Sequence, residues 1–432
     1  MELAGIAVAT AIFILTYVAI FTGRVHHALA ALIGGVAMAL AGIAFGFYTE
    51  KTLIAQIDFD TLWLLFGMMA IVGLLRATGF FQYVAIWVTK QARGNPWVLL
   101  VSLSVLTAGT SMLLDNVTTM LTVAPVTFSV AEILAFPAAP FILIEALAAN
   151  IGGTATLVGD PPNILIGSAA AFSFNDFLSH TAPVALVALV ALLGVAILQL
   201  RGKLRRGPQN VEALAAMDAR KALIDRRTMR KLVIVVALVF LLFLVHQVLG
   251  ITPGMIALIG AAIAALVLRP KMEDFLKGVE WDLLIFLMGL FVIMGGLERS
   301  GALPVVARGL VGLAGGNLIA LALLLLWVGA LLSWTMSAIP VTVTLISLVR
   351  GLEGLGIPQT PLWWALALGI GLGANGTPLG SASNMVVITV ASRTKGPLSF
   401  RAWARVGVPV AIFTCAIASL ALWIGIRSGW FL

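Results

Sequence analysis

Residues 150–163, Asn-Ile-Gly-Gly-Thr-Ala-Thr-Leu-Val-Gly-Asp-Pro-Pro-Asn, decide the fold of this chain, because they place helix-breaking and polar residues inside an apolar run. Residues 373–384, Gly-Ala-Asn-Gly-Thr-Pro-Leu-Gly-Ser-Ala-Ser-Asn, repeat the Thr, Gly and Asn positions at the same spacing. Lipid cannot hydrogen-bond the backbone groups that such breaks release. Paired breaks in two halves of a chain therefore predict a solute site near the middle of the bilayer, which is typical of a secondary transporter.

The composition is that of a membrane protein. The chain has 432 residues, of which 61% are hydrophobic and 10% charged. Its apolar runs are about 20 residues long, which is the length that spans a bilayer. The start of the chain lacks the basic region of a signal peptide, so the first span is expected to be retained. The single cysteine, Cys415, excludes a disulfide framework and a thiolate metal cluster.

The pattern of spans predicts an all-α polytopic fold with about ten transmembrane helices and two re-entrant hairpins, in two inverted-topology repeats that each contain a broken helix. The first repeat covers residues 1–200, with its hairpin at about 97–136 and its broken helix at about 140–172. A basic linker, 201–231, follows. The second repeat covers 232–432, with its hairpin at about 317–350 and its broken helix at about 362–392.

Internal sequence similarity supports the duplication. Ala31-Leu-Ile-Gly34 recurs as Ala257-Leu-Ile-Gly260. At one constant offset, Asp60, Gly67, Gly73, Leu75 and Gly79 correspond to Asp282, Gly289, Gly295, Leu297 and Gly301. Single glycine matches between apolar helices arise by chance, but five matched residues in one register, three of them glycine, indicate a repeat.

The distribution of basic residues predicts the orientation. With five crossings per half and an external N-terminus, 21 of the 26 Lys and Arg residues fall on the cytoplasmic side, ten of them in the linker. Those left outside are Lys51, Arg299, Arg308, Arg350 and Arg427. This asymmetry predicts inverted repeats with both termini external and the linker cytoplasmic. The alternative for the linker is a patch that binds membrane lipids or a partner protein.

Three carboxylates lie within the predicted membrane region of the first repeat. Asp115 is in the hairpin, Glu145 precedes the break and Asp160 lies inside it. An unpaired carboxylate at the bilayer centre costs about 2.5–3.5 kcal/mol on insertion scales, so it takes up a proton or holds a cation. We predict that these three residues couple transport to protons. The structural alternatives are helix caps at Asp115 and Asp160 and a hydrogen bond from Glu145 to the hairpin.

The second repeat lacks these acids. In register, Ser337 replaces Asp115, Ala338 replaces Asn116, and Ser381 replaces Asp160. A symmetric site for two cations is therefore disfavoured. One acidic half for protons and one neutral polar half for the solute fits this pattern better.

Hydroxyl and amide side chains in the breaks and hairpin tips are predicted to bind the solute. They are Asn116, Thr118, Thr119, Asn150, Thr154, Thr156, Asn163, Ser337, Asn375, Thr377, Ser381, Ser383 and Asn384. The broken helices are predicted to hinge at Gly152, Gly153, Gly159, Gly373, Gly376 and Gly380. No Lys or Arg lies in either break or tip, which favours a neutral polyhydroxy solute over a multiply charged anion.

The four histidines are interpreted as interfacial residues. They are His26, His27, His180 and His246, and no two of them form a metal-ligand spacing with acids along the sequence. The glycine-rich strings lie in apolar helices rather than between a strand and a helix. The sequence therefore predicts no metal site, no cofactor, no nucleotide site and no nucleic-acid partner.

Two strings, Leu114-Asp-Asn-Val-Thr-Thr119 and residues 150–164, resemble the ion transporter superfamily, in particular its branch of ArsB arsenite permeases, the melanosomal P protein and NhaD-type sodium/proton antiporters. The resemblance covers nearly the whole chain and implies a transport part that moves against a scaffold, which often forms a homodimer. P-protein and NhaD-type relatives carry an Asp-Asn pair in the second hairpin as well. Here Ser337 and Ala338 stand there, which disfavours sodium because hard cations prefer charged oxygen ligands.

The resulting hypothesis is an arsenite/antimonite efflux permease of the bacterial inner membrane, with both termini periplasmic, driven by inward proton flow. It rests on the resemblance and on arsenite being an uncharged trihydroxide at ordinary pH. One alternative is a sodium/proton antiporter that uses Asp115, Asn116 and Asp160 as ligands. Another is a carrier of organic or inorganic anions. A third is the membrane subunit of a pump, with a soluble arsenical pump ATPase docked on the linker.

Overall fold

A computed structural model describes residues 2–201, 218–303, 309, 311–312, 314–353, 356–392 and 398–432. Within these ranges the secondary structure is entirely helical, and eight helices are long and apolar enough to cross a membrane. Six shorter apolar helices accompany them. The predicted fold class, an all-α multi-pass membrane protein with hairpins and broken helices, is confirmed.

The helices of the first half alternate long spans with short segments. They are α1 (Glu2–Thr22), α2 (His27–Phe45), α3 (Glu50–Ile54), α4 (Phe59–Ala77), α5 (Phe80–Gln91), α6 (Pro96–Ser111), α7 (Asn116–Ile133), α8 (Ala138–Thr154), α9 (Pro161–Ala170) and α10 (Phe174–Leu200). Helices α6 and α7 form the hairpin, and α8 and α9 form the broken span. The sequence left the region of α5 without an element.

The second half follows the same order. Its helices are α11 (Arg226–Leu249), α12 (Pro253–Leu268), α13 (Met272–Leu276), α14 (Trp281–Arg299), α15 (Leu318–Thr335), α16 (Ala338–Arg350), α17 (Thr360–Gly373), α18 (Ala382–Ser392) and α19 (Phe400–Ser428). Residues 202–217, about half of the predicted linker, lie outside the described residues. A short 3-10 turn, Ala219–Ala222, precedes α11.

Both hairpins begin with the same cap. The Asn95 side chain accepts hydrogen bonds from the backbone N–H groups of Trp97 and Val98, at 2.9 and 3.3 Å. The Asn317 side chain accepts from the second and third residues of α15, at 2.9 and 3.1 Å. An asparagine at this position satisfies N–H groups that the first turn of a helix leaves free. The two repeats thus start their hairpins by the same local chemistry.

The outer helices pack across the repeats. Helix α2 packs on α14 and α4 packs on α12. A Cβ atom at Gly67 would overlap the backbone of Ala257, and one at Gly289 would overlap the backbone of Ala31. These positions correspond in the two repeats, so small residues allow both crossings to approach closely, as is common between membrane helices.

The broken spans lie at the centre of the molecule. Every residue from 141 to 167 and from 361 to 378 is buried, whereas only 17% of the apolar window of α1 is buried. Helix α8 packs on α6 and α17 packs on α15. A Cβ atom at Gly152 would overlap Ala108, and one at the equivalent Gly373 would overlap Ala330. The surrounding protein thus shields the interrupted backbone from lipid.

The glycines predicted as hinges are sites of close packing. All six lie in described residues, and none has the positive φ angle that would favour glycine for its conformation. Each instead lacks room for a Cβ atom; at Gly376, for example, it would overlap the Trp334 indole, and at Gly380 the carbonyl oxygen of Ala374. Their contribution to hinge motion stays a prediction.

Candidate functional site

Two interruptions define the candidate site. The first runs from the end of α8 at Thr154 to the start of α9 at Pro161, and the second from Gly373 at the end of α17 to Ala382 at the start of α18. Helix ends leave backbone N–H and C=O groups without intrahelical partners. In a buried break these groups need other partners, and the side chains of the breaks provide several of them.

Two asparagine side chains hydrogen-bond to the backbone of the breaks in which they lie. The Asn163 amide donates to the carbonyl oxygens of Gly153, Thr154 and Thr156 at 3.1, 3.2 and 2.8 Å. At the equivalent position, the Asn384 amide donates to the carbonyl oxygens of residues 374 and 377 at 2.9 and 3.0 Å. Both side chains were predicted to bind solute. Their amide N–H groups are instead committed to the carbonyl groups that the breaks release.

Two threonines attach the breaks to the hairpins. The Thr156 hydroxyl donates to the carbonyl oxygen of Met112 at 2.5 Å, and the Thr377 hydroxyl donates to that of Trp334 at 2.7 Å. Met112 and Trp334 lie at corresponding places at the end of the first helix of each hairpin. Each hairpin tip is therefore tethered to the break of its own repeat.

Asn150 is the junction between the repeats. Its amide nitrogen donates to the side-chain oxygens of Asn375 and Asn384, at 2.9 and 3.0 Å. Its side-chain oxygen accepts from the amide of Asn116 at 3.2 Å and from the hydroxyl of Ser383 at 3.1 Å. This arrangement brings the first hairpin tip, the first broken helix and the second break together in one amide network. The sequence selected all five residues but not the central position of Asn150.

The edges of the network contain further polar side chains. Ser381 and Ser383 lie with their hydroxyl oxygens 2.9 Å apart. The Ser111 hydroxyl contacts the side-chain oxygen of Asn116. Ser111 was not selected from the sequence, although it immediately precedes the hairpin tip in the same polar string.

Asp115 and Glu145 each have a structural partner. The Asp115 carboxylate accepts a hydrogen bond from the backbone N–H of Thr118 at 2.8 Å and so caps α7. Glu145 is fully buried, and the hydroxyl of Thr127 lies 2.8 and 3.0 Å from its two carboxylate oxygens. The structural alternatives considered for these two acids are thus observed, and a cap leaves room for a second role at Asp115.

Asp160 is different from the other two acids. It occupies the residue before α9, yet its side chain forms no capping hydrogen bond there. It is 8% exposed, lies beside Asn116 and interacts electrostatically with Asp115. Among the described residues, no Lys or Arg side chain lies within 4.0 Å of the Asp160 carboxylate. The Asp160 carboxylate is therefore placed next to the amide network without a fixed cation.

Some of the remaining residues predicted to bind solute form hydrogen bonds within the protein, and others do not. The Thr154 hydroxyl donates to the carbonyl oxygen of Asn150 at 2.8 Å. The Thr119 hydroxyl and the Asn375 amide nitrogen are buried without a hydrogen-bond partner, and so is the indole N–H of Trp334, which the sequence did not select. Thr118 is partly buried, and Ser337 is exposed at the second tip. Unpartnered buried polar groups are costly, and they are the groups in this region that are free to bind a solute.

A separate cavity of about 280 Å³ lies between the first residues after α3, helix α9, helix α14 and helix α16. Charged and polar side chains line part of it, among them Asp58, Glu298 and Arg350. Its lining residues, all within the described ranges, include none of the predicted solute ligands. The amide network is thus distinct from this cavity.

Comparisons with known proteins relate the chain to transporters. A family profile described as citrate transporter (CitMHS) matches residues 17–369. An uncharacterized transporter of Mycobacterium tuberculosis is 40% identical over 423 residues, which cover 96% of this chain and 98% of that protein. The P protein of Homo sapiens is 30% identical over 98% of this chain and 60% of its own length. The solved YdaH transporter of Alcanivorax borkumensis shares the fold, with a TM-score of 0.63 at 17% identity over 90% of both chains.

These matches bear on the resemblance seen in the sequence. The relationship to the P protein and to the ion transporter superfamily is confirmed. The narrower assignment to arsenite permeases stays a prediction.

Proposed function

Since this chain belongs to the citrate transporter (CitMHS) family and is therefore a secondary transporter, we propose that it exports arsenite and antimonite in exchange for protons. The observation that carries the proposal is the pairing of the Asn150 network with the Asp160 carboxylate. Amides and hydroxyls from both repeats meet next to a buried acid that has no fixed cation among the described residues.

The polar groups favour a hydroxylated, uncharged solute. Arsenite at neutral pH is a neutral trihydroxide that needs both hydrogen-bond donors and acceptors. The unpartnered Asn375 amide and Trp334 indole provide donors, and the Thr119 hydroxyl provides both. Neither hairpin tip nor break contains Lys or Arg, so a multiply charged anion would have no fixed cationic partner there. The single cysteine, Cys415, lies in α19 and belongs to neither break nor hairpin tip, so arsenite would be bound through its oxygen atoms.

Asp160 is the residue that we assign to the proton. A buried carboxylate without a cation is strongly disfavoured in its charged form, so it takes up a proton or a cation. Its neighbour Asn116 donates to Asn150 at 3.2 Å, so protonation of Asp160 acts one residue away from the network. Exchange follows if the proton and the solute favour opposite states of the transporter. Glu145 and Asp115 remain candidates for relaying the proton.

A citrate-like anion is the second candidate, because the matching family profile is described as a citrate transporter. Helices α9 and α18 begin inside the breaks, and helix N-termini attract anions. The sodium/proton antiporter remains the third candidate, with Asp115 and Asp160 as ligands. Ser337 and Ala338 in the second tip weigh against it.

Three broader expectations accompany the proposal. The distribution of Lys and Arg favours the inner membrane, with both termini periplasmic and the linker cytoplasmic. The resemblance to the superfamily favours a homodimer. A soluble ATPase that docks on the linker would convert the carrier into the membrane subunit of a pump.

Solute uptake into everted membrane vesicles energised by respiration tests the proposal. We expect arsenite to accumulate without sodium, and a protonophore to abolish the accumulation. Citrate accumulation without arsenite accumulation would favour the second candidate. Sodium-dependent collapse of the pH gradient without arsenite uptake would favour the third. ATP-driven arsenite uptake that survives the protonophore would reveal the ATPase partner.

A further inference from the structure

We propose that His26, His27 and Asp282 form a binding site for a divalent transition-metal ion of the Zn²⁺ class. One ligand atom from each of the three side chains lies within 4.8 Å of the others. The Nε2 atom of His27 is 4.0 Å from a carboxylate oxygen of Asp282. Spacing along the chain gave no sign of this group, because Asp282 comes from a helix in the other repeat.

The chemistry of the three groups suits zinc. Imidazole nitrogen and carboxylate oxygen are both zinc ligands, and sites with three protein ligands complete the tetrahedron with water. Bonds of about 2.0–2.1 Å in a tetrahedron separate the ligand atoms by about 3.3 Å. The side chains of His27 and Asp282 are 46% and 53% exposed, so they have room to rotate through the remaining distance.

The internal duplication shows what this position does without a metal. By sequence register, Thr252, Pro253 and Asp60 correspond to His26, His27 and Asp282. Asp60 accepts a hydrogen bond from the backbone N–H of Gly254 at 3.0 Å and so joins α4 to the start of α12.

Asp282 does not repeat that structural contact. The matching hydrogen bond to the backbone of Ala28 does not occur within the described residues, and the carboxylate faces the His27 imidazole instead. Two potential metal ligands, His26 and His27, thus replace a threonine and a proline. The carboxylate opposite them, Asp282, does not make the structural hydrogen bond that Asp60 makes.

Neighbouring side chains hold the site in place. The His27 ring packs edge-on against Phe286 at 5.0 Å between centroids and stacks on His26 at 4.4 Å. Glu280, the residue before α14, interacts electrostatically with Asp282. A bound metal would link the start of α2 to the start of α14.

Calorimetric titration of Zn²⁺ into the purified, untagged full chain in detergent tests the site. We expect one Zn²⁺ per chain. His27→Ala and Asp282→Asn should each lower the Zn²⁺ affinity at least about tenfold, because even changes to residues that only support the ligands cost about 10–100-fold. The matched control is Asp60→Asn, which removes the corresponding carboxylate of the other repeat and should leave Zn²⁺ affinity unchanged.

Thermal unfolding provides a second measurement. Zn²⁺ should raise the melting temperature of the wild type, because a ligand that binds the folded state stabilises it. At the same Zn²⁺ concentration it should raise the melting temperatures of the two variants less. Absence of Zn²⁺ binding by the folded wild type, or equal affinity in the wild type and both variants, would overturn the proposal. Both measurements report binding rather than transport, so their outcome is independent of the proposed solute.

Discussion

The two hairpin tips share a frame but differ in their functional groups. In the first tip, Asp115 caps the following helix and Asn116 donates to Asn150 at 3.2 Å. In the second, Ser337 is exposed and its side chain caps nothing, while Ala338 has no amide to offer. The first tip is thus part of the central network, and the second approaches it without an equivalent contact.

The residues that do recur in both repeats are those that hold the breaks together. Asn163 and Asn384 bind the carbonyl groups of their breaks, and Thr156 and Thr377 tether the tips. Asp160 has no acidic counterpart in the second repeat. The comparison suggests a division of roles: duplicated polar residues build the broken helices, and unduplicated ones perform the transport chemistry.

The largest expected difference between the repeats concerns Asp160 and its counterpart Ser381. Asp160→Asn should lower the rate of proton-driven solute uptake by about 100-fold or more, equivalent to about 2.7 kcal/mol, because the amide cannot take up the proton. Ser381→Ala should lower it less than about tenfold. Uptake into energised vesicles measures both. Glu132→Gln, which changes an exposed carboxylate on the same hairpin, is the control, and equal losses in Asp160→Asn and Ser381→Ala would refute the division of roles.

A symmetric effect is expected where the repeats agree. Asn163→Ala and Asn384→Ala each leave buried carbonyl groups unsatisfied, so each should lower the free energy of unfolding by about 2–4 kcal/mol. The two losses should be similar, since Asn163 donates to three carbonyl groups, and Asn384 donates to two and also accepts from Asn150. Unfolding of the purified protein in detergent measures both values.

The control for this symmetry is Asn175→Ala. The Asn175 side chain makes one exposed hydrogen bond, to the carbonyl oxygen of Leu244 at 2.8 Å. Its loss should change the free energy of unfolding by about 0.5 kcal/mol or less. If only one of Asn163→Ala and Asn384→Ala lowers the free energy of unfolding by more than this control, the two breaks are not stabilised in the same way.

Sequence patterns predicted the helical class, the paired breaks and the residue types of the network, because apolar length and helix-breaking residues are local signals. They could not show which acceptor an amide reaches, so the hydrogen bonds from Asn163 and Asn384 to the carbonyl groups of their own breaks were not foreseen. The contact between His27 and Asp282 also escaped, since it joins distant parts of the chain. Helix α5 was missed because it is shorter than a span and lies in a connection.

A smaller asymmetry is expected at the tips themselves. Asp115→Ala removes the cap of α7 and should lower the free energy of unfolding by about 1 kcal/mol. Ser337→Ala removes no capping bond and should change it by about 0.5 kcal/mol or less. Asp115→Asn retains a side-chain oxygen as acceptor, so it separates the cap from the charge. A stability loss in Asp115→Asn as large as in Asp115→Ala would assign the effect to the charge.

The second hairpin tip is held by hydrogen bonds to Tyr17 of α1. Removing them is expected to have a smaller effect on stability than Asp115→Ala. The Tyr17 hydroxyl on α1 donates to the carbonyl oxygen of Pro340 at 3.0 Å and accepts from the Thr344 hydroxyl at 2.8 Å. The Thr344 hydroxyl lies 2.9 Å from the same Pro340 carbonyl oxygen. In Tyr17→Phe it can donate its single hydrogen there instead, so the variant leaves no carbonyl without a partner. We therefore expect Tyr17→Phe to destabilise the conformation in which α1 and this hairpin touch by only about 0.5–1 kcal/mol. Other conformations should be unaffected.

A cost of that size still shifts a conformational equilibrium by about two- to fivefold. The shift can be followed as the rate at which a membrane-impermeant thiol reagent labels Ser337→Cys, since that tip is exposed whereas Cys415 is buried. Thr22→Ala is the control, because the Thr22 hydroxyl bonds within α1, to the carbonyl oxygen of Ala19. If Tyr17→Phe leaves the labelling rate as unchanged as Thr22→Ala does, the tyrosine packs against the second tip without selecting a state. The difference between the tips would then rest on the acidic groups of the first repeat alone.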